Sequence, residues 1–187
     1  MFNIQNLKNH FPILSNDNSL TYFDNASTTH KPKVVIDKIT EFYSCYNANV
    51  HRGTYDIAEK ATKEYENSRL TISKFINSKS EEIIFTKNTT ESINLIANSL
   101  SENILNENDE IIISEMEHHS NIIPWQLIAR KKGLKLQYIP LQKNGELNLD
   151  SFKSLINKKT KLISITHMSN LLGTINPIEK IISIAKE

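Results

Sequence analysis

The sequence is short of the residues that most often staple or punctuate a fold. It holds one cysteine, Cys45, among 187 residues, which excludes an internal disulfide framework and a cysteine-rich metal site. Glycine occurs 4 times and proline 5 times, so most turns must rest on Asn, Asp and Ser, whose short side chains hydrogen-bond the nearby backbone. Neither G-x-G-x-x-G nor a P-loop is present, which leaves little support for a generic nucleotide-binding domain. A surplus of one charge is missing too: 22 basic side chains stand against 21 acidic ones, a net charge of +1. The lysine pairs at 131–132 and 158–159 are short and separate, so no nucleic-acid partner is expected. No apolar run approaches the roughly 18 residues of a membrane span, and the first residues, MFNIQNLKNHFP, are mixed and polar. The expectation is a soluble, cytoplasmic protein with no membrane partner. At 39% hydrophobic residues, a real core is within reach.

What is present organises around residues 83–100, IIFTKNTTESINLIANSL. Ile83, Ile84 and Phe85 form a short β-prone run, residues 86–90 a polar turn, and Ile93, Leu95, Ile96 and Leu100 recur at helical spacing. The pattern predicts strand, turn, helix. Thr89 and Thr90 then stand at the helix start, where hydroxyls, the first-turn N–H groups and the positive end of the dipole converge, an arrangement suited to a phosphate. The same pattern also fits Thr89 or Thr90 as a plain N-cap, with Glu91 an ordinary first-turn acid.

Before that stretch, a short helix is expected over residues 4–10, ended by Pro12, with a brief strand over 20–23. The small polar run DNASTT precedes Pro32, which suits the first turn of a helix over 33–46. Such a run lets a ligand approach the backbone closely, or simply connects two elements. Cys45, near the helix end beside Tyr43 and Tyr46, reads as a packed thiol, since no adjacent His or Lys is placed to lower its pKa. His51 and Arg52 share a loop with Gly53, either as an anion site or as solvated residues. A long helix follows, with apolar positions from Ile57 to Ile76.

Beyond residue 100 the pattern becomes regular: strand 110–114, helix 122–132 with Gly133 as C-cap, strand 134–141, helix 149–157, strand 161–166 and helix 178–187. That alternation predicts a parallel α/β sheet with right-handed crossovers, in which ligands bind beyond the carboxyl ends of the strands. Three loops occupy that edge, 87–90, 115–121 and 167–170, and they carry His118, His119, His167 and Asn170. Their spacing matches no H-x-x-x-H or C-x-x-C pattern, and no metal is expected.

The segments DNAST (24–28), NANVHRG (47–53), TKNTTESINLIANS (86–99), SEMEHHSNIIPWQ (114–126) and THMSNLLGTINPI (166–178) together resemble the Suf-type (group II) cysteine desulfurases. These are class V, fold-type I enzymes dependent on pyridoxal phosphate. The likeness runs from near His10 to Glu187, and EMEHHSNIIPW is its most specific part. It implies an α/β fold: an incomplete fold-type I large domain with a mostly parallel sheet and flanking helices. Residues 1–20 would be an N-terminal arm and 21–187 the first part of the cofactor-binding large domain.

The resemblance also implies pyridoxal 5'-phosphate as cofactor, L-cysteine as substrate, a Suf-type sulfur-acceptor protein as partner, and a homodimer. Thr89 and Thr90 would hold the cofactor phosphate. His118 would stack on the pyridine ring and help move protons, and Asn170 would hydrogen-bond the ring hydroxyl or the substrate carboxylate region. On the substrate side would lie the backbone of Ala26 and Ser27, with His51 at the mouth. The implied reaction passes sulfur from L-cysteine to a protein thiolate as a persulfide, leaving L-alanine, for iron–sulfur cluster assembly.

The sequence departs from the family by stopping early. The family's cofactor-anchoring lysine, the aspartate and glutamine that tune the ring, and the small domain with the nucleophilic cysteine follow the matching region, and neither Lys87 nor Cys45 corresponds to any of them. In the family's seven-stranded sheet, of order 3-2-4-5-6-7-1, the strand at 83–86 would be the first and would lack its neighbour. The strands at Glu110, Leu134 and Lys161 would still pair as 3-2-4. The expectation is a truncated chain, inactive and marginally stable alone, with exposed apolar faces. Two other readings stay open: a non-catalytic remnant or partner subunit of a split enzyme, and a selenocysteine lyase or other class V enzyme.

Overall fold

The computed structural model describes residues 4–17 and 19–187, which divide into two compact units, Met1–Ile84 and Phe85–Glu187. In the first unit Pro12 does more than end the opening helix α1 (Ile4–Lys8). Its preset φ starts a second short helix, α2 (Pro12–Asn16), as proline does at a first helical position. Residues 20–23, expected as a strand, form none, and Phe23 is 93% exposed. Helix α3 (Lys33–Glu41) begins after Pro32 as the sequence predicts, then widens into a π-helical turn over Phe42–Tyr46. Past such a turn the 3.6-residue phase no longer holds. Tyr46 takes the interior place, and Cys45, expected as a packed thiol, is exposed.

Helix α4 (Asp56–Phe75) turns Ala58, Ala61 and Ser73 inward. The Nζ of Lys60 lies 4.4 Å from the centroid of the Tyr46 ring, a cation–π contact that ties α4 to the π-helical turn. The run at 83–85 was expected as a strand and is not one. Ile83 is extended and buried, and its carbonyl accepts from Arg69 Nη1, while Ile84 stays 72% exposed. A strand exists only where another pairs with it, and among the described residues the one sheet is built from three later segments.

The second unit realises the predicted alternation. It runs through α5 (Thr89–Asn103), β1 (Glu110–Ser114), α6 (Ile123–Lys132), β2 (Lys135–Ile139), α7 (Leu149–Leu155), β3 (Thr160–Ser164) and α8 (Ile178–Lys186), with ends within a few residues of the expected ones. The strands are parallel in the order β2-β1-β3, which is the 3-2-4 pairing the resemblance implied. The centre strand reads EIIIS, with no polar alternation and every residue buried, as a strand covered on both faces must be. Ile111 and Ile113 join Ala97, Trp125, Ile128 and Leu134 on the face of α5 and α6. Ile112 joins Ile139, Leu147, Phe152 and Ile181 on the face of α7 and α8. Burial of each isoleucine contributes about 2 kcal/mol. Gly133 closes α6 in the left-handed region, φ 69°, the C-cap role its position predicts.

Candidate functional site

Two of the three loops at the carboxyl edge of this sheet converge on one cavity. Helix α5 opens with Asn88 as its N-cap, whose Oδ1 accepts from Glu91 N at 3.0 Å. Glu91 reaches back so that its Oε2 accepts from Lys87 N at 2.6 Å, a reciprocal capping arrangement. The cap is thus Asn88, and neither Thr89 nor Thr90 is spent on it. Among the described residues, the hydroxyls and backbone N–H groups of Thr89 and Thr90 make no hydrogen bond within the chain, and both residues are exposed. Unpartnered donors at the start of a 15-residue helix are the chemistry an oxyanion needs.

Thr89 lines a cavity of about 250 Å³ together with His118, Ser120, Asn121, Ser164 and Thr166. Thr90 stands one residue on from Thr89 but is not part of its wall. His118 also borders a second cavity, of about 310 Å³, with Asn170, Leu171 and Leu172. His118 is thus common to the two cavities, and the structure sets it between Thr89 on one side and Asn170 on the other.

The state of the His118 ring follows from its partners. Its Nδ1 accepts from Ser120 N at 3.1 Å and lies 2.9 Å from Ser120 Oγ. A backbone N–H can only donate, so in the neutral ring Nδ1 is bare and the proton sits on Nε2. Asn170 is exposed, and among the described residues its side chain makes no hydrogen bond. The loop carrying it is nevertheless fixed: buried Ser169 accepts through Oγ from Leu171 N at 3.3 Å and Leu172 N at 3.1 Å, and Gly173 turns at φ 71°.

The remaining expected site residues belong to the first unit. Ala26 and Ser27 lie in an exposed turn in which Ser27 N and Thr28 N both donate to Asp24 O at 3.1 Å. His51 occupies a left-handed backbone position, φ 66°, that non-glycine residues rarely adopt. Thr62 Oγ1 accepts from its N–H at 2.9 Å, and its Nε2 pairs with Glu66 Oε1 at 2.8 Å. His51 is therefore engaged by α4 rather than merely solvated.

Sequence reasoning passed over the groups beneath the His118 turn. The buried carboxylate of Glu117 accepts from Ser114 Oγ at 2.5 Å, Asn121 Nδ2 at 2.8 Å and Thr166 N at 2.9 and 3.1 Å. Asn121 Oδ1 in turn accepts from Trp125 Nε1 at 2.8 Å and Ser164 Oγ at 2.7 Å. A signal for this was present: Glu117, Asn121 and Trp125 recur every fourth residue, the spacing that brings side chains together along a turning backbone.

The family description Aminotransferase class-V matches residues 21–187. The putative cysteine desulfurase PbSufS of Plasmodium berghei is 50% identical over 98% of this chain and 35% of its own length. A probable cysteine desulfurase of Halalkalibacterium halodurans is 47% identical over 98% of this chain and 46% of its own. The apo structure of the cysteine desulfurase from Thermococcus onnurineus superimposes with a TM-score of 0.92 at 42% identity, over the whole of this chain and 45% of that one. The chain thus spans less than half the length of the relatives it matches. Pyridoxal 5'-phosphate is the cofactor of this class of enzymes, and the parallel β2-β1-β3 sheet with its flanking helices is a fold-type I feature. On the extent of that match, these residues belong to the class-V aminotransferase family.

Proposed function

We propose that these residues form part of the cofactor-binding half of a cysteine desulfurase that takes sulfur from L-cysteine and passes it to a protein thiolate as a persulfide, releasing L-alanine. The observation that carries this reading is the placing of unpartnered Thr89 donors and the His118 imidazole on one cavity at the carboxyl edge of the sheet. That donor set suits pyridoxal phosphate: an oxyanion at the α5 start and an aromatic ring beside an imidazole. Thr89 and Thr90 would hold the phosphate, His118 would stack on the pyridine ring, and Asn170 would hydrogen-bond the ring hydroxyl or the substrate carboxylate region. When bound, the cofactor would supply an electron sink at the substrate α-carbon, with the carbon–sulfur bond the one broken and the carbon skeleton kept in L-alanine. With its proton on Nε2 and Nδ1 engaged by Ser120, His118 presents a single donor and moves its proton at that atom.

The activity is proposed for the whole protein, of which the chain matches less than half the length. Within it, residues 21–187 serve as the first part of the large domain, preceded by an arm over residues 1–20. The backbone of Ala26 and Ser27 faces substrate, and His51 sits at the mouth. A homodimer in the cytoplasm, delivering sulfur to a Suf-type acceptor, completes the reading. The desulfurase reading itself is supported by the identities to proteins named as cysteine desulfurases. Among the described residues no helix is long and apolar enough to cross a membrane.

The test uses pyridoxamine 5'-phosphate, which cannot condense with surface lysines, titrated into the isotopically labelled chain. Saturable shifts at the amides of Thr89 and Thr90 and at the His118 ring are expected, with inorganic phosphate moving only the two threonines. Thr90→Val should weaken the binding about tenfold, the loss of one hydrogen bond to a charged group. Absence of saturable shifts at these three residues overturns the reading.

A further inference from the structure

We propose that Glu117 is the positioning residue for His118. Its buried carboxylate, rather than any bond made by the imidazole, holds the histidine turn against the ends of β1 and β3. Both bonds of the His118 side chain stay within its own turn, to Ser120 N and Ser120 Oγ. Likewise the backbone bonds of the turn, Asn121 N to His118 O and Ile122 N to His119 O, are internal to it. Among the described residues, hydrogen bonds from residues 117–121 to the strands and their ends run through two side chains and one backbone amide. Glu117 accepts from Ser114 at the end of β1 and from Thr166 just beyond β3. Asn121 reaches Ser164 at the end of β3 and is itself held by Glu117 Oε2. The amide is the weak bond from Glu117 N to Ser114 O, at 3.5 Å.

The residue type matters here. Thr166 N–H is shared between both carboxylate oxygens, so a carboxamide would turn a donor toward a donor at one of them. Glu117 is 8% exposed and Ser114 fully buried, so water cannot replace a lost partner. The carboxylate thus joins two strand ends to the one turn that carries His118. That His118 is a cofactor-side group rests on the function proposed above, but its anchoring by Glu117 does not.

The experiment therefore needs no cofactor. Amide hydrogen exchange and imidazole nitrogen shifts are recorded for the full chain and for Glu117→Gln. The amide of Ser120, which donates to His118 Nδ1, should lose protection about tenfold, with the His118 ring signals shifted, while the amides of Ile111, Ile112 and Ile113 in the central strand β1 keep theirs. Unchanged protection at Ser120 overturns the proposal. So does an equal loss across sheet and turn, which is what a merely stabilising carboxylate would produce. Should Glu117→Gln not fold, Ser114→Ala removes one donor from the same oxygen and decides by the same two readouts. Failure of pyridoxamine phosphate to bind would sink the cofactor reading and leave this result standing.

Discussion

Thr166 donates its backbone N–H to both carboxylate oxygens of Glu117, at 2.9 and 3.1 Å, across 49 positions of sequence. The second residue after β3 is thereby bound to the residue before His118, which joins the end of β3 to the turn that lines the cavity. Tying loops together at a sheet edge is what lets a site keep its geometry without a helix or strand of its own.

The indole of Trp125 extends that network, and removing its N–H should be felt locally. Trp125→Phe leaves Asn121 Oδ1 with Ser164 Oγ alone and opens space at a residue only 2% exposed. A loss of about 2 kcal/mol is expected from the combined missing bond and lost volume. Urea titration followed by far-UV circular dichroism measures it, and no change would show the N–H to be idle.

Ile112 is the central-strand isoleucine that packs on the α7 and α8 face, and its truncation tests that face. It is fully buried among Met116, Ile139, Leu147, Phe152 and Ile181. Ile112→Ala should cost about 2–5 kcal/mol, measured as a drop in the urea midpoint at unchanged slope. A loss under about 1 kcal/mol would show that face to be loosely packed.

Gly133→Ala tests the close of α6. The backbone there has φ 69°, and an added Cβ would come within 3.0 Å of Glu107 Cγ. Because Glu107 has a flexible side chain, the backbone conformation dominates, and a loss of about 1–2 kcal/mol is expected. Gly133→Asn should recover part of it, since asparagine tolerates the left-handed region. The thermal midpoints of the two variants decide.

Alkaline pH should weaken the first unit through Lys38. A hydrogen bond to Tyr46, then those to Glu64 and Glu41, hold its ammonium above the ordinary value of 10.5. The folded pKa is raised, so the stabilisation is complete below 10.5 and disappears as pH climbs through the higher folded value. The side chain is half exposed, which keeps the effect small. The stability difference between the native chain and Lys38→Met should be constant at neutral pH and narrow only above pH 10.5. A difference that shrinks below that value contradicts the assignment.

Much of the fold was legible because the second unit obeys local rules. EIIIS can only be a strand buried on both faces, and a helical period ending in glycine predicts the cap at Gly133. Where the reading failed, the deciding partner was distant in sequence. The runs at 20–23 and 83–85 have strand-like composition but no neighbouring strand to complete a ladder. A π-helical turn, invisible to a 3.6-residue pattern, put Tyr46 in the interior place and left Cys45 exposed.

The candidate site divides in the same way. From the residues alone came the helix start at Thr89 and Thr90, the three loops at the carboxyl edge and, through resemblance, His118 and Asn170. These depend on order along the chain and on the handedness of parallel crossovers. Only the structure decided that Asn88 caps α5 and leaves the hydroxyls and N–H groups of both threonines without a partner among the described residues, that Ser120 places the His118 proton on Nε2, and that Glu117 binds Ser114, Asn121 and Thr166 at once. Hydrogen bonds are short and directional, so which of several nearby donors meets which acceptor is settled by the folded backbone of each turn, and the bond from Thr166 to Glu117 by packing that brings residues 49 positions apart within 2.9 Å.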